Sequence, residues 1–64
     1  MDIGITGNVI AVVTIDKNVV SSSSAPIFYA ANEEQRERVA LLIAKTTRGM
    51  VHDLEIGAYI IVRH

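Results

Sequence analysis

Three short apolar segments and one amphipathic segment follow one another along the chain. Residues 9–15, VIAVVTI, are nearly all apolar or β-branched, which is typical of a strand covered on both faces. Residues 27–30, IFYA, and residues 58–63, AYIIVR, predict two further strands. Between them, residues 33–53 carry apolar side chains at spacings of three and four, which predicts a helix with one apolar stripe. The pattern therefore predicts the element order β-β-α-β.

Both ends of the predicted helix have local signals. Asn32 is a typical N-cap, and Gln35, three residues later, can complete a capping box. Gly49 costs up to about 1 kcal/mol inside a helix, or it can serve as a C-terminal cap. Because apolar residues recur past this glycine, we expect the helix to continue to about Asp53. The predicted stripe consists of Val39, Ile43, Thr46, Met50 and Leu54, with Leu42 beside it.

The order of elements constrains the topology of the sheet. A helix that joins the second and third strands predicts a right-handed crossover, in which these two strands are parallel. The gap between them accepts the first and most apolar strand, antiparallel to both. We therefore predict a single α+β domain over residues 1–64. It contains a three-stranded mixed sheet in the order 2-1-3, with one helix on one face.

A single helix covers only one face of such a sheet. Tyr59 and Ile61 alternate with the residues predicted to lie beneath the helix, so we expect them on an uncovered apolar face. An exposed apolar patch of that size is unusual on a soluble monomer, which favours a second copy or another protein as its cover. The residues predicted to make these contacts are Phe28, Tyr29, Tyr59, Ile61 and Arg63.

Size and composition lead to the same expectation. A 64-residue chain buries only about 60% of the surface that it exposes when unfolded, so small domains commonly gain stability from a disulfide, a metal or association. The chain has no cysteine, which excludes disulfides and thiolate zinc sites and leaves self-association or a permanent partner as the leading source of stability. Its net charge is −1 and its cations are scattered, which disfavours nucleic acid as a partner.

No signal peptide or membrane span is evident, so we expect a cytoplasmic protein that reaches a membrane only through a protein partner.

The serine run Ser21–Ser24 invites a functional interpretation. A phosphate-binding loop uses glycines and opens a helix, whereas this run has no glycine and precedes a strand. A catalytic serine needs a histidine base, but His52 and Asp53 are adjacent on the predicted helix and point in different directions. We therefore interpret residues 16–26 as a flexible serine-rich loop.

Metal chemistry has a similarly weak basis. His52, Asp53 and His64 could together be considered as zinc ligands, but nothing in their spacing requires it. We expect no catalytic residue, no metal, no cofactor and no small-molecule substrate, and hence a protein that is not an enzyme.

Three segments of the chain resemble a known family. They are NVIAVVTI (residues 8–15), IFYAANEEQRERVALLIAK (residues 27–45) and GMVHDLEIGAYIIVRH (residues 49–64). The most specific parts are FYA…NEE before the helix and the ending MVHDLE-x-G-x-Y-I-x-V-x-H. The family consists of very short proteins of endospore-forming bacteria, named as capping-complex subunits for a multi-pass membrane protein called YIEGIA.

The resemblance implies a cytosolic accessory protein of the sporulation programme that acts by contact with a membrane partner. It implies no catalytic or ligand-binding residues. The first hypothesis is thus a non-enzymatic, homo-oligomeric interaction module that docks on a membrane protein. The alternative is a small nucleic-acid-binding regulator that aligns its cations by forming a homo-oligomer. An enzyme with a pocket between subunits, built from His52, Asp53 and a serine, ranks last.

Overall fold

The computed structural model describes residues 2–3, 8–20 and 22–63, with the backbone alone for residues 2–3. The described part of the chain contains one helix and six strands in two sheets. In chain order the elements are β1 (Asp2–Ile3), β2 (Val9–Thr14), β3 (Ser22–Ser23), β4 (Ile27–Tyr29), α1 (Glu33–Thr47), β5 (Met50–Asp53) and β6 (Ala58–Val62).

The main sheet has four strands in the order β4-β2-β6-β5, not the three that were predicted. The three predicted strands do lie side by side in the predicted order, as β4-β2-β6. Their directions differ from the prediction, however, because β2 is antiparallel to β6 but parallel to β4. The cause is the additional strand β5, which forms an antiparallel hairpin with β6 and reverses the direction of the chain after the helix.

Helix α1 begins as predicted and ends earlier than predicted. The Asn32 side chain accepts a hydrogen bond from the backbone amide of Gln35 at 2.8 Å, and the Gln35 side chain accepts one from the amide of Ala31 at 2.6 Å. At the other end, Arg48 adopts the left-handed conformation, with φ 59°, and its amide bonds to the Ala44 carbonyl. The expected continuation to about Asp53 is therefore wrong.

The close approach at Gly49 explains why the chain leaves the helix there. A Cβ atom on Gly49 would lie 2.8 Å from Cγ2 of Ile61 and 3.1 Å from the carbonyl oxygen of Val62. The glycine thus lets the backbone pass directly over β6 before β5 begins. Met50 and Leu54, which were predicted to extend the helical stripe, instead lie in and just after a strand.

The helix packs on one face of the sheet, over β2, β6 and β5. Two small helical residues, Ala40 and Ala44, are buried against the sheet and let the helix lie close to it. The buried residues of this helix-side core are Ala11, Val13, Ala30, Ala40, Ala44 and Ile61, and partly buried Val39, Ile43 and Tyr59 pack against them.

The other face of the sheet is also covered, by the chain itself. Val20 from the β2–β4 connection is fully buried there together with Val12, Ala58 and Ile60. Val19 and Leu54 pack against the same cluster. The expected uncovered sheet face is therefore wrong, because the segment interpreted from sequence as a flexible serine-rich loop supplies apolar cover.

The serine-rich connection includes ordered local structure in the described residues. Ser22–Ser23 forms β3, which pairs in parallel with Asp2–Ile3. Asp16 accepts a hydrogen bond from the Asn18 amide at 2.8 Å and so forms the turn after β2. Ser21 lies outside the described residues, and flexibility of residues 16–26 stays a prediction.

Candidate partner-binding surface

Two of the predicted contact residues, Phe28 and Tyr29, are exposed on the edge strand β4. Phe28 pairs in register with Val13, so its side chain lies on the helix side of the sheet, at the edge beyond β2. Tyr29 pairs with Thr14 and lies on the opposite side, where Nζ of Lys17 is 5.6 Å from the centre of its ring. β4 therefore presents an aromatic side chain to the solvent on each face.

Tyr59 and Ile61 are placed differently from the prediction. Both pack in the helix-side core, and Ile61 is fully buried. Tyr59 is half-buried, with the guanidinium carbon of Arg36 lying 4.3 Å from the centre of its ring. The expectation that these two residues anchor a partner on a bare sheet face is thus wrong, since the helix lies over the face that they occupy.

The most exposed large apolar side chains on the helix were not predicted as contacts. Leu41 is 56% exposed and Leu42 is 61% exposed, on the side of the helix away from the sheet. The sequence does contain a signal for them: the run Val39–Ala44 is apolar at six consecutive positions. A helix that packs on a single sheet can bury only part of such a run, so its remaining members must face outwards.

Both edges of the main sheet are open in the described structure. In β4, the hydrogen bonds from Val12 to Pro26 and from Ala30 to Thr14 direct alternate backbone groups towards β2. The backbone groups of Ile27 and Tyr29 consequently point away from the sheet. Strand β5 forms the other edge, and Met50 on it is 57% exposed.

Arg63, the last predicted contact residue, lies at an open cleft where the helix ends. The cleft has a volume of about 410 Å³ and is lined by Thr46, Thr47, Arg48 and Arg63. Its two threonine hydroxyls donate to helix carbonyls, Thr46 to Leu42 at 3.0 Å and Thr47 to Ile43 at 2.6 Å. The hydroxyls are held in place by these bonds, and the two guanidinium groups supply the charge of the cleft. The structure thus brings Arg63 together with Arg48, not with the predicted aromatic contacts.

The residues weighed as chemical groups do not form a compact centre. His52 and Asp53 are adjacent on β5, where successive side chains point to opposite faces. His64 lies outside the described residues. Among residues 8–20 and 22–63, no group of three or more potential metal ligands is close enough to hold an ion. The helix that the structure describes lacks the length and apolar composition required to cross a bilayer.

The described residues thus define a small α+β protein whose distinguishing surface features are exposed apolar side chains and a basic cleft. The chain belongs to the family described as capping complex subunit for YIEGIA, whose model matches residues 6–64. Neither the search of curated proteins nor the search of solved structures found a match.

Proposed function

We propose that the chain is a non-enzymatic accessory subunit that docks on YIEGIA, a membrane protein, as part of a capping complex. The observation that carries this proposal is the family match over residues 6–64. It extends across every strand of the main sheet and the whole helix, so the match concerns the whole α+β domain. A role in sporulation and a position at the cytoplasmic surface of the membrane form part of the same proposal.

The docking surface that we propose is the helix side of the molecule. Its centre is the exposed pair Leu41 and Leu42, and Phe28 lies on the same side of the sheet at the β4 edge. Burying a leucine side chain fully contributes about 1.5–3 kcal/mol relative to leaving it in water. Because both leucines are already partly covered by their neighbours, docking gains about 1–2 kcal/mol from each.

The test is co-purification with detergent-solubilised YIEGIA from cells that produce both proteins. We expect Leu41→Ser and Leu42→Ser each to weaken the association about tenfold, since a tenfold change in affinity corresponds to about 1.4 kcal/mol. Ile56→Ser is the matched control, because Ile56 is also a partly exposed apolar residue but lies in the β5–β6 turn. Thermal unfolding of each variant separates lost docking from lost folding.

Failure of the wild-type chain to co-purify with detergent-solubilised YIEGIA would contradict the proposed function. If the Ile56→Ser variant lost as much association with YIEGIA as the leucine variants did, the proposed surface would be contradicted, although docking itself would stand.

Self-association is a second element of the proposal, supported now by the open sheet edges. The backbone groups of Ile27 and Tyr29 on β4 are directed outwards, and a strand of a second copy can pair with them. Phe28 and Tyr29 then lie at the junction between copies. Sedimentation equilibrium at micromolar concentration tests this element: a mass above that of one chain is expected, and a mass of one chain at every concentration would contradict it.

A further inference from the structure

The described acidic side chains are distributed unevenly along the direction of the strands. One end of the main sheet, where β2 ends and α1 begins, carries most of the described acidic residues. These are Asp16, Glu33, Glu34, Asp53 and Glu55, and the cations Lys17, Arg36 and Arg38 lie at the same end. The opposite end, where α1 ends and β6 finishes, carries Lys45, Arg48 and Arg63. The helix dipole favours part of this arrangement, but Arg63, Asp53 and Glu55 are not on the helix.

The basic end has no internal counter-charge in the described structure. Arg38 forms an ion pair with Glu34 at 3.1 Å, and Arg36 lies against the ring of Tyr59. By contrast, neither Arg48 nor Arg63 lies within ion-pair distance of a carboxylate from the described residues. Because Arg48 and Arg63 both line the cleft, an anion bound there is attracted by two positive charges.

We propose that this arginine cleft, formed by Thr46, Thr47, Arg48 and Arg63, binds carboxylate side chains of an acidic segment in the protein partner. The inference rests on the proposed function and specifies the chemistry of one contact. A guanidinium presents paired donors that match the two oxygens of a carboxylate, and such charge-assisted bonds are stronger than neutral ones. The hydroxyls of Thr46 and Thr47 already donate their protons to helix carbonyls and have none left for a carboxylate, which leaves the arginines as the recognition groups.

The shape and charge of this end favour a peptide over a membrane or a nucleic acid. Lipid-binding basic segments use clusters of about four to eight lysines and arginines, and nucleic-acid binders neutralise a comparable number of phosphates. Here three cations lie at the basic end, and two of them line the open cleft.

The test is a nuclear magnetic resonance titration of the isolated, isotope-labelled chain with a short peptide that alternates glutamate and serine. We expect saturable shifts of the amides of Thr46, Thr47, Arg48 and Arg63, with a Kd in the millimolar range, because each exposed charge-assisted pair contributes little. A peptide that alternates glutamine and serine is the matched ligand control and should produce no saturable shift. Vesicles of phosphatidylglycerol and a short DNA duplex form two further arms.

Substitutions assign the binding to the cleft. Arg63→Gln and Arg48→Asn should each weaken peptide binding about fivefold, and asparagine tolerates the left-handed backbone at position 48. Arg38→Gln removes the same charge from the exposed helix surface and should leave the Kd unchanged. Thermal unfolding confirms that each variant folds.

Three results would overturn the inference: equal binding of the glutamine peptide, unchanged Kd in both cleft variants, or binding of vesicles or DNA through the cleft without binding of the acidic peptide. Because this titration uses the chain alone, such a result leaves co-purification with YIEGIA unaffected. Failure of co-purification, in turn, does not change the peptide titration.

Discussion

Replacement of Gly49 by alanine distinguishes a helix that continues through position 49 from a helix that ends before it. The two structures predict stability changes of opposite sign. If the helix continued through this position, alanine would stabilise the protein by up to about 1 kcal/mol relative to glycine. In the observed fold, the added Cβ lies 2.8 Å from Cγ2 of Ile61 and 3.2 Å from Cδ1 of Ile10. Ile61 is fully buried, so it cannot move away without disturbing the helix-side core.

The magnitude follows from the cost of adding a methyl group to a packed interior. Overpacking costs about 1–3 kcal/mol, and the reduced freedom of the unfolded chain offsets about 0.4–1 kcal/mol of it. We therefore expect Gly49→Ala to lower the free energy of unfolding by about 1–2 kcal/mol. For a domain of this size, each 1 kcal/mol corresponds to a decrease in Tm of roughly 4–8 °C.

Urea denaturation followed by circular dichroism measures this change directly. Glu37→Ala on the exposed surface of α1 is the control, since such substitutions usually change stability by less than about 0.5 kcal/mol. A Gly49→Ala variant as stable as the wild type, or more stable, would refute the close packing of Gly49 against β6.

Three further substitutions test other parts of the fold, each by urea denaturation. Val20→Ala should destabilise the domain by about 1–3 kcal/mol, because Val20 is fully buried against the second face of the sheet; no change would mean that the β2–β4 connection does not cover that face. Asn32→Ala should cost about 1 kcal/mol through loss of the N-cap, whereas Asn32→Asp should retain most of the stability; equal losses would argue against capping. Thr14→Val should cost about 1–3 kcal/mol, because the buried hydroxyl accepts from the Asp16 amide and lies 3.2 Å from the Gly57 carbonyl; unchanged stability would show that these bonds are not needed.

Much of the fold follows from local patterns in the sequence. The β-branched segment at Val9–Thr14 forms a central strand, and Asn32 begins the helix, as their side chains predict. These features depend on a few neighbouring residues, and the same physical rules apply to them in any fold.

The end of the helix could not be predicted from local sequence patterns. Met50 and Leu54 continue a helical spacing, yet their spacing of four is equally compatible with one face of a strand. The decisive contact is between Gly49 and Ile61, which are distant in sequence, so periodicity alone contains no information about it. Because β5 was missed, the predicted strand directions were wrong.

The candidate surface was predictable only in part. Phe28 and Tyr29 are exposed on an edge strand, where aromatic residues are suited to contacts with a partner. Leu41 and Leu42 were missed because the predicted stripe assigned burial by spacing, without asking how much of the helix one sheet can cover. Arg48 and Arg63 line the same cleft because the β5–β6 hairpin brings residue 63 back to the end of the helix.

Site-specific cross-linking tests the central claim, that the helix side of this domain contacts YIEGIA. The chain contains no cysteine, so a single cysteine introduced at position 42 or 56 can be labelled with a photoactivated cross-linker. We expect a cross-link to YIEGIA from Leu42→Cys and none from Ile56→Cys in the β5–β6 turn. Co-purification of the two proteins with cross-linking from position 56 and none from position 42 would contradict it.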